Sequence, residues 1–235
     1  MSKVQVKAPF FMFNPKSYLY GEELEGFAKV AEELAVEYPE VSVFITSPFA
    51  DIRAVARHTN QAIVSAQHID GIQPGRGMGH VLADSVYAAG ARATFLNHAE
   101  RPLTFDALVK SVERADELGM ITIVCANSIK EAKAVATLQP DIILCEPTEL
   151  IGTGNTSDAS YVTATNEAIK AISPNTLVMQ AAGISKAEDV YKVIELGADG
   201  SGCTSGITEA EQPHDMLREM VKAADTAWRE KHENV

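Results

Sequence analysis

Eight short apolar runs, separated by amphipathic segments, constrain the fold of this chain more than any other feature of its sequence. The runs are Phe10-Phe11-Met12-Phe13, Val41-Ser42-Val43-Phe44-Ile45, Ala62-Ile63-Val64-Ser65-Ala66, Ala93-Thr94-Phe95-Leu96, Ile121-Thr122-Ile123-Val124-Cys125, Ile142-Ile143-Leu144-Cys145, Leu177-Val178-Met179-Gln180 and a weaker one from Gly200 to Cys203. Apolarity sustained over four or five residues predicts strands buried on both faces, as in a parallel sheet. Between the runs, apolar residues recur three or four apart. Leu24, Phe27, Val30, Ala31 and Leu34 form one such set, Leu108, Val109, Val112 and Leu118 another, and Val190, Val193, Ile194 and Leu196 a third. Each set places one face of a helix against a core. Gly119 and Gly197 stand where two of these helices should stop, and the segment from Pro213 to Lys231 predicts a longer closing helix.

About eight strand–helix units without a linker admit two arrangements, an open doubly wound sheet and a closed (β/α)8 barrel. The unit count and the length of 235 residues favour the barrel, as a single α/β domain over residues 1–235. Gly200, Gly202 and Gly206 lower the β-propensity of the eighth strand. The net charge of −12 argues against non-specific nucleic-acid binding, so an anionic ligand would need a local positive partner. The first seven residues lack the apolar stretch of a signal peptide, and no apolar run approaches the roughly 20 residues of a membrane span. Cys125, Cys145 and Cys203 show neither paired nor metal-ligand spacing, which suits buried reduced thiols. Together these features predict a cytoplasmic protein with no membrane contact.

In a barrel, ligands meet the carboxyl ends of the strands. The first strand is followed by Asn14-Pro15-Lys16, and the fourth by Asn97-His98-Ala99-Glu100-Arg101. Lys16 is either a surface lysine or the partner of an anionic substrate, with Asn14 holding it in place. His98 is either satisfied by local hydrogen bonds or poised to donate to a substrate carbonyl. A helix N-terminus close behind it would disfavour the imidazolium. Glu146 follows the sixth strand, and it either caps the next segment or serves as a general base whose pKa partial burial raises. Three glycine-bearing stretches can address a phosphate through backbone N–H groups: Ile151-Gly152-Thr153-Gly154, Ala182-Gly183-Ile184-Ser185 and Thr204-Ser205-Gly206.

Taken together, Asn14-x-Lys16, Gln67, Asn97-His98-Ala99-Glu100, Glu146-Pro147 with Glu149-Leu150-Ile151-Gly152-Thr153-Gly154, Ala182-Gly183-Ile184-Ser185 and Thr204-Ser205-Gly206 resemble the triosephosphate isomerase family over nearly the whole chain. The Gln67-His68-Ile69-Asp70 segment and the Glu-Leu-Ile-Gly-Thr-Gly loop look most like its short archaeal branch. The resemblance implies the TIM barrel and an enzyme of glycolysis and gluconeogenesis that interconverts glyceraldehyde 3-phosphate and dihydroxyacetone phosphate. A glutamate base, a neutral histidine electrophile and a closing loop in this enzyme are a standard worked example of tuned acid–base chemistry.

Carried over by residue, it implies Glu146 as base, His98 as electrophile and Lys16 as the cation that stabilises developing charge. Asn14, Lys16, Ile151, Gly152, Gly183, Thr204 and Ser205 would bind substrate, and Glu100 and Gln67 would support the site. The loop from Pro147 to Gly154 would close as a lid. The resemblance further implies no metal or organic cofactor and a homo-oligomer, either dimer or tetramer.

The chain also departs from the family pattern. Pro15 stands where an aromatic residue is usual. Gly75-Arg76-Gly77-Met78-Gly79-His80 replaces a Ser-His-Thr run in a loop that packs on a neighbouring subunit. Gln180 and Thr204 add polar groups that would stand near the mouth and could take an extra hydroxyl. Pro15, Gln180 and Thr204 motivate one alternative, a same-mechanism isomerase of a related phosphosugar such as a tetrulose phosphate; a non-catalytic phosphosugar-binding protein is a further alternative from another class.

Overall fold

A computed structural model describes residues 3–146 and 159–233. Its eight strands are β1 (Phe10–Phe13), β2 (Ser42–Ser47), β3 (Ile63–Ala66), β4 (Ala93–Leu96), β5 (Ile121–Ala126), β6 (Ile142–Cys145), β7 (Leu177–Gln180) and β8 (Gly200–Cys203). They pair in parallel in chain order, and β1 pairs β8, so the sheet closes on itself as a (β/α)8 barrel. The described helices are α1 (Gly21–Glu37), α2 (Ile52–Ala56), α3 (Ala83–Ala89), α4 (Phe105–Leu118), α5 (Ile129–Ala136), α6 (Ala159–Lys170), α7 (Ala187–Glu195), α8 (Ser205–Thr208) and α9 (Pro213–Glu233). The eight apolar runs all become strands, with ends shifted by a residue or two. The brief helices α2 and α3 carry too few turns to show a helical period, and the sequence pattern passes over them.

Closure divides the apolar residues into two cores. Inward-facing Phe10, Met12, Phe44, Phe95, Ile123, Leu144 and Met179 fill the barrel. Outward-facing Phe11, Phe13, Val43, Ile45, Val124 and Ile143 pack against the helices, including the buried Leu24, Phe27, Ala31 and Leu34 of α1. Both faces of each strand are therefore dry, which is why the runs do not alternate with polar residues.

The glycines of β8 have a packing cause. A Cβ on Gly200 would lie 2.4 Å from the Phe10 ring, and one on Gly202 would lie 2.3 Å from the Met179 methyl and 2.6 Å from the Met12 carbonyl oxygen. Bulk on β1 and β7 is offset by its absence on β8, so weak local propensity is overridden by the shape of the interior.

Helix ends follow local chemistry. Thr104 precedes α4 and its hydroxyl accepts the Ala107 N–H at 3.3 Å. Gly119 ends the same helix at φ +70°, a left-handed conformation that glycine enters without a Cβ clash. Gly197 stands one residue past the cap of α7, with φ +115°. The Val190, Val193 and Ile194 face of α7 is buried, as are Leu217, Met220, Val221 and Ala224 of α9.

Candidate active site

Lys16, His98 and Glu146 lie on three different strand–helix connections, and the barrel brings them to one cavity of about 320 Å³ at the carboxyl ends of the strands. Its floor is apolar, with Met12, Phe95, Leu144 and Met179, and its wall carries Asn14, Glu100, Gly183, Thr204 and Ser205. A smaller lobe of about 180 Å³ adjoins it and shares Asn14, Lys16, His98 and Glu100 while adding Gln67.

Each polar group is held in place by its neighbours. Lys16 has φ +51°, a left-handed backbone conformation that costs a non-glycine residue about 1–2 kcal/mol. Two side chains hold it there. Asn14 Oδ1 accepts the Lys16 N–H at 3.0 Å, and Gln67 Nε2 donates to the Lys16 carbonyl at 2.7 Å. The barrel seam fixes Asn14 in turn, because its N–H donates to the Cys203 carbonyl and its own carbonyl accepts the Thr204 hydroxyl at 2.6 Å. Pro15 is accommodated within this arrangement, and the Lys16 ammonium reaches Glu100 Oε1 at 2.6 Å. That pair stands at the open mouth with Glu100 64% exposed, so breaking it costs little.

His98 begins the turn after β4, and Glu100 closes a contact back onto it by donating its N–H to His98 Nδ1 at 3.1 Å. An acceptor Nδ1 leaves the proton of the neutral ring on Nε2. Burial holds the His98 pKa below the ordinary histidine value, the Lys16 charge lowers it further, and Glu100 opposes both. Among the described residues, no helix starts directly behind the ring. The helix α4 begins only at Phe105, and the donor beside the ring is the Glu100 amide.

Glu146 extends the ladder one residue past β6, donating its N–H to the Ala126 carbonyl at 3.1 Å. Burial raises its pKa and Glu100 raises it further, against the pull of Lys16. The cavity thus presents a neutral imidazole with an N–H donor, a carboxylate of raised basicity and an ammonium group. These groups suit moving a proton on carbon beside a polarised carbonyl.

The last two connections also reach the cavity. Gly183 takes φ +69°. A Cβ on Gly206 would lie 2.8 Å from both Cα and the carbonyl oxygen of Ser185, so only glycine allows the turn after β8 to approach the turn after β7 this closely. Ile151, Gly152 and the lid from Pro147 to Gly154 lie outside the described residues.

Gln180 is not at the mouth. Strand alternation sends Met179 inward and Gln180 outward, where its Nε2 donates to the Thr165 hydroxyl of α6 at 2.9 Å. The Thr204 hydroxyl is engaged with Asn14. The sequence pattern assigns no role to Asn97 or Glu131. Asn97 takes φ +57° and its side chain bonds three neighbouring groups, Glu131 among them. An asparagine directly after a strand was the available signal, since asparagine tolerates the left-handed region better than most residues.

The family described as triosephosphate isomerase matches residues 9–224. The chain belongs to the triosephosphate isomerase family. It is 37% identical to the triosephosphate isomerase of Methanocaldococcus jannaschii over 198 residues, covering 83% of this chain and 90% of the relative. The Methanobacterium bryantii triosephosphate isomerase is 36% identical, covering 92% of this chain and 96% of its own length. That of Sulfolobus acidocaldarius is 33% identical, covering 97% and 100%. Membership of the triosephosphate isomerase family thus extends over the strands, the closing helices and all the connections that line the cavity. Among the described residues, no helix is long and apolar enough to cross a membrane.

Proposed function

We propose that the chain interconverts glyceraldehyde 3-phosphate and dihydroxyacetone phosphate through an enediolate. The convergence of Lys16, His98 and Glu146 on one cavity carries this reading, and the relatives named triosephosphate isomerase support it.

In the proposed reaction the Glu146 carboxylate takes a proton from the carbon beside the substrate carbonyl. His98 Nε2–H polarises the carbonyl oxygen as negative charge develops there, and the Lys16 ammonium offsets that charge. The protonated Glu146 then returns the proton to the neighbouring carbon, while His98 moves a proton between the two oxygens. Hydrogen leaves and returns as a proton, so the reaction needs no redox partner. Backbone N–H groups of Ile151, Gly152, Gly183, Thr204 and Ser205 hold the phosphate. Closure of the Pro147–Gly154 lid keeps water from the enediolate. Glu100 and Gln67 support Lys16, and the active form is a homo-oligomer, dimer or tetramer.

Three-carbon substrates are favoured over four-carbon ones because the two polar groups that suggested room for another hydroxyl are occupied elsewhere, Gln180 with α6 and Thr204 with Asn14. The test is a panel of three- and four-carbon phosphosugars, with dihydroxyacetone phosphate formation followed by a coupled glycerol-phosphate dehydrogenase. Turnover of glyceraldehyde 3-phosphate at the highest efficiency in the panel is expected. Phosphoglycolate binding by well-folded protein that turns over none of the panel overturns the reading.

A further inference from the structure

The residue before His98 is bonded to a side chain of the next strand–helix unit. Asn97 bends the chain away from β4 at φ +57° and is buried. Its side chain is fully used. Nδ2 donates to the Cys125 carbonyl at 3.1 Å and to Glu131 Oε1 at 3.0 Å, and Oδ1 accepts the Leu103 N–H at 3.0 Å. The bend that launches the His98–Glu100 turn is therefore tied to the end of β5, to the first turn of α5 and to the approach to α4.

Glu131 has a conventional duty as well. Ser128 caps α5 by accepting the Glu131 N–H at 3.2 Å, and Glu131 Oε2 accepts the Asn127 N–H at 2.8 Å. Capping uses one carboxylate oxygen. The other crosses to Asn97, and a charged acceptor makes this bond stronger than a neutral one. Without it a buried amide N–H loses its partner at a residue already in a strained backbone conformation.

We infer that Glu131 is a positioning residue for His98, acting through Asn97. The inference rests on the reading of His98 as the electrophile.

The experiment separates positioning from capping. Glu131→Asp keeps the charge in the first turn of α5 but draws the carboxylate one methylene back from both Asn97 and Asn127. Ser128→Ala weakens the cap without touching Asn97. Steady-state kinetics with glyceraldehyde 3-phosphate should show kcat lowered about ten- to a hundredfold in Glu131→Asp and Glu131→Ala, the scale expected when a catalytic group is slightly misplaced. KM should change little, since ground-state binding is kept. Ser128→Ala should lower the melting temperature and leave kcat unchanged. Asn97→Gly should lose activity like Glu131→Ala, and the double variant should be no worse than either.

A second readout is independent of turnover. In 15N spectra of the imidazoles, His98 Nδ1 should read as an unprotonated acceptor in the parent protein and as a tautomer mixture in Glu131→Asp. Glu131→Asp with parental kcat, or multiplicative losses in the double variant, overturns the inference. An unchanged His98 spectrum in Glu131→Asp overturns it too. If the parent protein turns over no triose phosphate while the His98 spectrum still responds to Glu131→Asp, the proposed activity fails and the tether stands.

Discussion

Glu146 is held in a part-buried site where burial outweighs the pull of Lys16, and this has a measurable consequence for stability. Burial raises its pKa in the folded protein above the value in the unfolded chain. A carboxyl raised in this way is stabilising when protonated, below the unfolded value, and that contribution is lost as pH rises through the folded value. Glu146→Gln mimics the protonated form at every pH. It should therefore unfold at a higher temperature than the parent above neutral pH, and the difference should vanish in acid below the ordinary glutamate pKa. The same change should lower kcat by about 10²–10⁴-fold, the range set by loss of a general base. Calorimetry across pH paired with kinetics checks both, and a variant that melts no higher at pH 8 while retaining activity contradicts both assignments. Lys16, His98 and Glu146 could be picked out in the sequence because each is a polar residue just past a buried run. Gln180 differs, because it ends the seventh run itself and lies within β7. Position near the end of a run does not say whether a side chain points into the barrel or out toward a helix, and only register does.

The eighth strand shows an element whose local preferences and tertiary role conflict. Glycine is a poor strand former, yet Gly200 and Gly202 are wholly buried in β8. Alanine at Gly200 would gain about 0.4–1 kcal/mol by restricting the unfolded chain. It would also drive a Cβ to 2.4 Å from the Phe10 ring. Overpacking of a filled core costs about 1–3 kcal/mol, so the clash should win and Gly200→Ala should be net destabilising. Adding Phe10→Leu should recover part of the loss. Denaturant midpoints measure both, and a Gly200→Ala protein as stable as its parent would show that the glycine is not there for the ring. The other seven strands could be read directly, because Ile, Val, Phe and Leu in short runs have one obvious home. The eighth could be placed only by counting units, since its reason for being glycine lies on β1 and β7.

At the scale of the molecule, the segment after β3 is largely exposed between Gln73 and His80. Asp70 clamps its base, accepting the Val81 N–H at 2.7 Å and contacting His68 at 3.1 Å and His80 at 3.3 Å. At its tip Met78 is completely exposed. A single exposed methionine is ordinary on a protein surface, and the proposed homo-oligomer is expected to cover this one. Met78→Asp should lower the mass seen by light scattering from that of a dimer or tetramer. A parent protein that is monomeric at micromolar concentration rules this out. The sequence by itself determined the alternation of strands and helices, the barrel that follows from eight units, and the residue types available for proton transfer. These depend on local polarity and on connections short enough to keep neighbours adjacent. Tertiary structure alone decided which side chains face one another. The Gln67 bond to the Lys16 backbone joins residues 51 positions apart, and the Asn97 bond to Glu131 joins residues 34 apart. Such contacts arise only when the sheet closes and sets every register at once.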